Sequence, residues 1–174
     1  MNNFIKYALL VCFFSFHAWA SPEYRQIPYE DKLNQILNAC DVSVAVNFEP
    51  YARCPEVMKF KLKKYTEDSV AAFLKAMHLN PVKTNAREGF ASLDEWIVMQ
   101  KESLINTGER KVVRAFEKAR KAVRSFVITA QKSGLEMGLD TNAFWAPQLS
   151  ARVIVIYNPK QSTITLVRHG VAGG

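Results

Sequence analysis

Residues 162–174, STITLVRHGVAGG, carry an apolar β-branched stretch into Arg168-His169-Gly170. These residue types in this order can do phosphoryl chemistry. An imidazole can take a phosphoryl group as a nucleophile, and the guanidinium before it can hold phosphate oxygens. A complete site needs further bases and a second histidine on the phosphate. It also needs an acid to protonate the leaving group. The chain has three histidines. His17 follows the N-terminal apolar run and His78 lies within the helix-stop pattern KAMHLNP.

The Arg-His-Gly motif resembles the opening of the histidine phosphatases. In that family the remaining phosphate ligands come later in the chain, and here four residues follow Gly170. A three-residue match without those partners specifies no site. His169 reads as the polar tail of an edge strand. No metal-ligand spacing, GxSxG, HExxH or P-loop occurs. Paired carboxylates at Glu30-Asp31, Glu67-Asp68 and Asp94-Glu95 each fall in the first turn of a predicted helix, where they offset the helix dipole. The residues therefore assign no catalytic group, no metal ligand and no cofactor. An enzyme of the secreted hydrolase or toxin class would need a dispersed site, seen as a deep polar cleft with converging acids and bases. An inhibitor that blocks an enzyme would need a protruding loop, for which 48–56 is the candidate.

Charge offers a stronger lead. Residues 110–132 hold eight bases (Arg110, Lys111, Arg114, Lys118, Arg120, Lys121, Arg124 and Lys132) and one acid, Glu117. That segment carries +7, and the rest of the chain after residue 20 carries −1. On a helical wheel Val112, Val113, Phe116, Ala119, Val123, Phe126, Val127 and Ala130 fill an arc of about 140°. Lys111, Arg114, Lys118, Lys121 and Arg124 fill the opposite arc, and Arg120 lies at the boundary. The apolar arc needs a core. The basic arc is either a solvated face or a surface for an anionic partner. An acidic protein, an anionic lipid or lipopolysaccharide would fit it. Nucleic acid ranks last, because the basic arc has no aromatic residue on which bases would stack.

The elements that must carry these residues read as one α+β domain over 21–174. YEDKLNQILNAC places Leu33, Ile36 and Leu37 on one helical face ending at Cys40. DVSVAVN alternates Val42, Val44 and Val46 and predicts a strand. FEPYARCPE reads as a loop. VMKFKLKKY alternates Met58, Phe60 and Leu62 against Lys59, Lys61 and Lys63, as a half-buried strand with a solvated lysine comb does. Thr66 is the N-cap of a helix with Val70, Phe73, Leu74 and Met77 inward, stopping before Asn80-Pro81. NPVKTNAREGF reads as a polar connector. A helical segment over 92–134 follows. It opens on the capping box Ser92-Leu93-Asp94-Glu95, is interrupted at Thr107-Gly108 and stops at Gly134. LDTNAFWAPQLS reads as irregular. Residues 151–169 read as a β-hairpin around Asn158-Pro159-Lys160-Gln161. The expectation is a small sheet of three to five strands, a C-terminal hairpin and about four helices, two of them long.

Residues 1–20 combine Lys6, an apolar run from Tyr7 to Phe16 and Ala18-Trp19-Ala20. That is the pattern of a secretory signal peptide cleaved after Ala20, and the run is about half a membrane span. The location implied is periplasmic or secreted. Cys12 leaves with the signal, so Cys40 and Cys54 remain, and two cysteines in an oxidising compartment pair. Their spacing matches neither a redox nor a metal motif.

IPYEDKLNQILNACDVSVAVN followed by MKFKLKKYTEDSVAAFLKAMHL, within residues 26–79, resembles the short N-terminal domain shared by secretins and TonB-dependent receptors. That module runs helix, tight turn, strand, and a strand leading through a Thr-capped helix, here Thr66 to Leu74. It favours glycine where this chain has Cys40-Asp41. The resemblance implies a small periplasmic docking domain that touches other parts of an envelope machine, with no catalytic residues. The function expected from the whole sequence is an exported, non-enzymatic binding protein. It would be an accessory of a bacterial secretion, pilus or conjugation apparatus that meets an anionic partner through its basic helix.

Overall fold

The computed structural model describes residues 23–29, 31–45, 54–91, 110–146 and 149–173. In chain order the elements are β1 (Tyr24–Ile27), α1 (Asp31–Ala45), β2 (Glu56–Leu62), α2 (Glu67–Ala76), β3 (Val82–Thr84), α3 (86–91), α4 (Arg110–Lys132), β4 (Glu136–Ala146), β5 (Leu149–Asn158) and β6 (Thr163–Gly173). The fold class is α+β. One six-stranded antiparallel sheet runs β1-β2-β6-β5-β4-β3.

Helices cover both faces of the sheet. Leu33, Leu37, Phe90, Phe116, Val123 and Val127 of α1, α3 and α4 pack on Ile154, Ile156 and Val167. Phe73 of α2 packs on Phe60, Val153, Val155, Ile164 and Leu166 from the other side. This double cover explains why β5 reads Val153-Ile154-Val155-Ile156, with every residue at most 2% exposed. A strand between two helical layers has no solvent face to keep polar.

The C-terminal hairpin is present as β5–β6, closed by a 3₁₀ turn over Pro159–Gln161. The Asn158 side chain caps that turn by accepting from the Gln161 N–H at 3.1 Å. Thr66 caps α2 through a reciprocal box with Ser69. Both α2 and α4 end in the same motif. At α4 the Leu135 N–H reaches the Ala130 carbonyl and Gly134, at φ 78°, donates to Gln131. At α2 the Leu79 and His78 amides reach Leu74 and Lys75, and the left-handed position is taken by His78, φ 53°. This is a Schellman closure, with glycine at one helix end and a histidine at the other.

Several expectations are corrected. The strand over Val42, Val44 and Val46 is not formed as far as Ala45, because α1 continues through it. Leu33, Ile36, Leu37 and Cys40 keep helical spacing on the inner side, and burying Cys40 outweighs the β preference of the valines. Val42 is left 65% exposed. Cys40 therefore lies within α1 rather than at its end. The connector after Asn80 contains β3 and opens α3. The stretch from Leu139 is strand: β4 is broken by register shifts between Asp140 and Ala143 and between Phe144 and Ala146. These bulges destroy the alternation that marks a strand. Buried Asp140 fixes the first of them, accepting from the Asn142 N–H at 2.8 Å and the Asn80 N–H at 2.6 Å. The sheet thus has six strands, not three to five. The capping box at Ser92 and the helix predicted after it lie outside the described residues, as do 48–53 of the candidate inhibitor loop.

The disulfide joins Cys40 and Cys54, with Cα atoms 6.0 Å apart. Cys54 lies two residues before β2, so the bond ties the later part of α1 to the lead into that strand.

Candidate functional site

The basic helix forms as expected. Val112, Phe116, Ala119, Val123, Val127 and Ala130 are buried along one side of α4. Lys111, Arg114, Lys118, Lys121 and Arg124 are all exposed on the other. The spacing is i, i+3 or i+4 throughout, so the five cations form one row. At 1.5 Å per residue the row is about 20 Å long. Like charges at these spacings repel by a few tenths of a kcal/mol per pair. The helix holds them because its opposite side is locked in the core. The Arg124 guanidinium also stacks over the Phe90 ring of α3 at 5.8 Å, which fixes that end of the row. Arg120 is half-buried at the boundary. No described helix is long and apolar enough to cross a membrane.

The opening motif resolves differently. Arg168 is 4% exposed, and its Nη2 donates to Glu56 Oε1 at 2.6 Å. The two residues are register partners across β2 and β6. The guanidinium is thus engaged in a cross-strand ion pair. β6 lies between β2 and β5 in the sheet order, so the edge-strand reading is corrected for its stretch up to Arg168. Beyond Arg168 the described pairing of β6 is with β5, where the His169 backbone pairs with Arg152. A β-branched run with a polar ending looks the same in an interior strand as at an edge, and only pairing distinguishes them. His78 sits at the α2 terminus, exposed. Among the described residues, no three His, Cys, Asp or Glu side chains gather as metal ligands would.

A cluster the sequence did not point to lies at the α2 end of the sheet. Tyr65, Tyr157 and Glu136 line a pocket of about 380 Å³ with Val70 and Leu74. Burial, then Tyr65, then Glu136, push the Tyr157 phenol up to about 12. Burial and Glu136 also raise Tyr65. Both phenols hold their protons at neutral pH, so they can donate hydrogen bonds but cannot serve as bases. Tyr65 precedes the α2 cap and Tyr157 is the penultimate residue of β5, and nothing in either local pattern signals that they meet.

The chain matches no protein-family model, no curated protein and no solved structure in these comparisons.

Proposed function

We propose that the protein is an exported, non-enzymatic binding protein of a bacterial envelope apparatus, of the secretion, pilus or conjugation type. It docks on an anionic partner through the outer face of α4. The observation that carries this reading is the exposed row Lys111, Arg114, Lys118, Lys121 and Arg124 on a helix whose other side is buried. A rigid row of cations loses little conformational freedom on docking and steers an acidic partner toward it. The Cys40–Cys54 bond supports an oxidising compartment, in line with the signal pattern of residues 1–20. The Thr-capped α2 after β2 is the part of the secretin-like resemblance that supports a docking module.

A protein partner is favoured over a lipid surface. A helix that lies in a membrane interface buries its apolar face in the acyl region, and the apolar face of α4 is occupied by the core. Among its described residues, Ile128 is the one exposed large apolar side chain of α4. Lipid or lipopolysaccharide would be held by charge alone.

The test reverses Lys111, Lys118 and Lys121 to Glu and measures recovery of envelope proteins by the purified chain across a salt series. Exposed changes of this kind move stability by about 0.5 kcal/mol or less each. The variant should fold and lose its partner. Wild-type recovery should fall with salt, since exposed charges are screened over about 8 Å at physiological ionic strength. A folded variant with undiminished recovery at every salt concentration refutes the reading. Mass spectrometry of the native protein should find Ser21 at the N-terminus, and an intact Met1 would refute export.

A further inference from the structure

We propose that the cleft between α1, α4 and the sheet binds a small amphipathic carboxylate, with its head on β2 and β6 and its apolar body between the helices. This site does not depend on the outer face of α4. The cleft has a volume of about 480 Å³, within the ordinary range for small-molecule sites. Leu33 and Ile36 of α1, Phe126 and Ala130 of α4, and Ile156 of β5 make its apolar walls. Lys59, Thr163 and Thr165 line it from β2 and β6, and Lys32 from α1. Among the described residues, no acidic side chain lines it.

The sheet register places the polar groups together. Lys59 is the cross-strand partner of Thr165, and Lys61 of Thr163. Lys61 is committed to the Gln161 carbonyl. Lys59 makes only a long contact, 3.3 Å, with the Gln161 side-chain oxygen, leaving its ammonium with further donor capacity. Thr163 is 3% exposed, yet its hydroxyl has no hydrogen-bond partner among the described residues. A buried hydroxyl in that state is unfavourable unless a ligand or water completes it. One ammonium beside two threonine hydroxyls suits a singly charged oxyanion. The walls above suit a short hydrocarbon and would reject a strongly hydrated inorganic ion.

Titration calorimetry on the purified, disulfide-bonded protein tests this with decanoate below its micelle concentration. Saturable one-to-one binding is expected, with decanol and decylamine weaker by about tenfold or more. Lys59→Met and Thr163→Val should each weaken decanoate severalfold, while Lys64→Met, an equal charge loss away from the cleft, should not. Thr163→Val should also raise the melting temperature of the free protein, so its binding defect could not be ascribed to unfolding. Failure to saturate with decanoate overturns the proposal. So does equal affinity for decanol, or wild-type affinity in both cleft variants.

Discussion

The two faces of the sheet solve the same packing problem in different ways. On the α2 side a helix of ten residues, closed at both ends by local hydrogen bonds, covers a cluster of rings. Phe73 meets Tyr24 edge-on at 4.9 Å and Phe60 at 5.1 Å. On the other side, α1 and α4 lie against each other and the sheet. α4 packs mainly through Val and Ala and α1 through Leu33, Ile36 and Leu37, with a few rings such as Tyr29 on Phe126 at 5.1 Å, and a disulfide staples the layer to β2. The outward surfaces differ as well. Glu67, Asp68 and Lys75 nearly balance on α2, whereas α4 presents five cations in a row. The comparison teaches that cover and display are separable tasks. A short, self-capped helix suffices to bury one face of the sheet. A long helix with a fully buried side is needed to hold like charges in line.

Substitutions at the two covers should break this comparison most forcefully. Phe73→Ala and Phe116→Ala each remove a ring that is 1% exposed and should cost about 3–5 kcal/mol in urea unfolding. A loss below about 1 kcal/mol at Phe73 would show that α2 is dispensable cover. Replacing Cys40 and Cys54 together by Ala should cost about 3 kcal/mol, the value for a loop of about 15 residues. Amide exchange should then accelerate in α1 before α2. Uniform acceleration would mean that the two faces unfold as one.

Smaller changes sharpen it. Thr66→Ala removes the α2 cap and should cost about 1 kcal/mol, with no effect on α4. Tyr157 supplies a test by pH. Its folded pKa of about 12 lies above the ordinary 10.0, so the folded state keeps a proton that the unfolded state releases. The stabilisation is complete below pH 10 and is lost as pH rises through about 12. Wild type should therefore lose stability over that window more steeply than Tyr157→Phe in parallel melts. Identical slopes would place Tyr157 in solvent.

Where a pattern is local, it could be read directly. The wheel of α4, the Thr66 cap, the Gly134 stop and the hairpin around Asn158-Pro159 each depend on residues within a few positions of one another, and each is found. The five cations and the two cysteines were legible for the same reason. β4 was not, because its bulges interrupt the alternation and Asp140 stands where an apolar residue would signal burial. β3 is three residues long, and its Pro81 lead packs against Gly138. A Cβ added to Gly138 would meet that proline Cβ at 2.7 Å, a close approach visible only once the strands are paired.

The sequence by itself determined which segments are amphipathic, where α2 and α4 begin or end, and that positive charge gathers on one helix. These follow from side-chain spacing and short-range hydrogen bonds. Only the tertiary structure decided that α1 runs on through valines suited to a strand, and that β6 is interior with Arg168 paired to Glu56. It alone set Lys59 beside Thr165 beneath a cleft and brought Tyr65 to Tyr157. Each of these depends on strand pairing or layer packing between residues far apart in the chain, and their energies are absent from any local window.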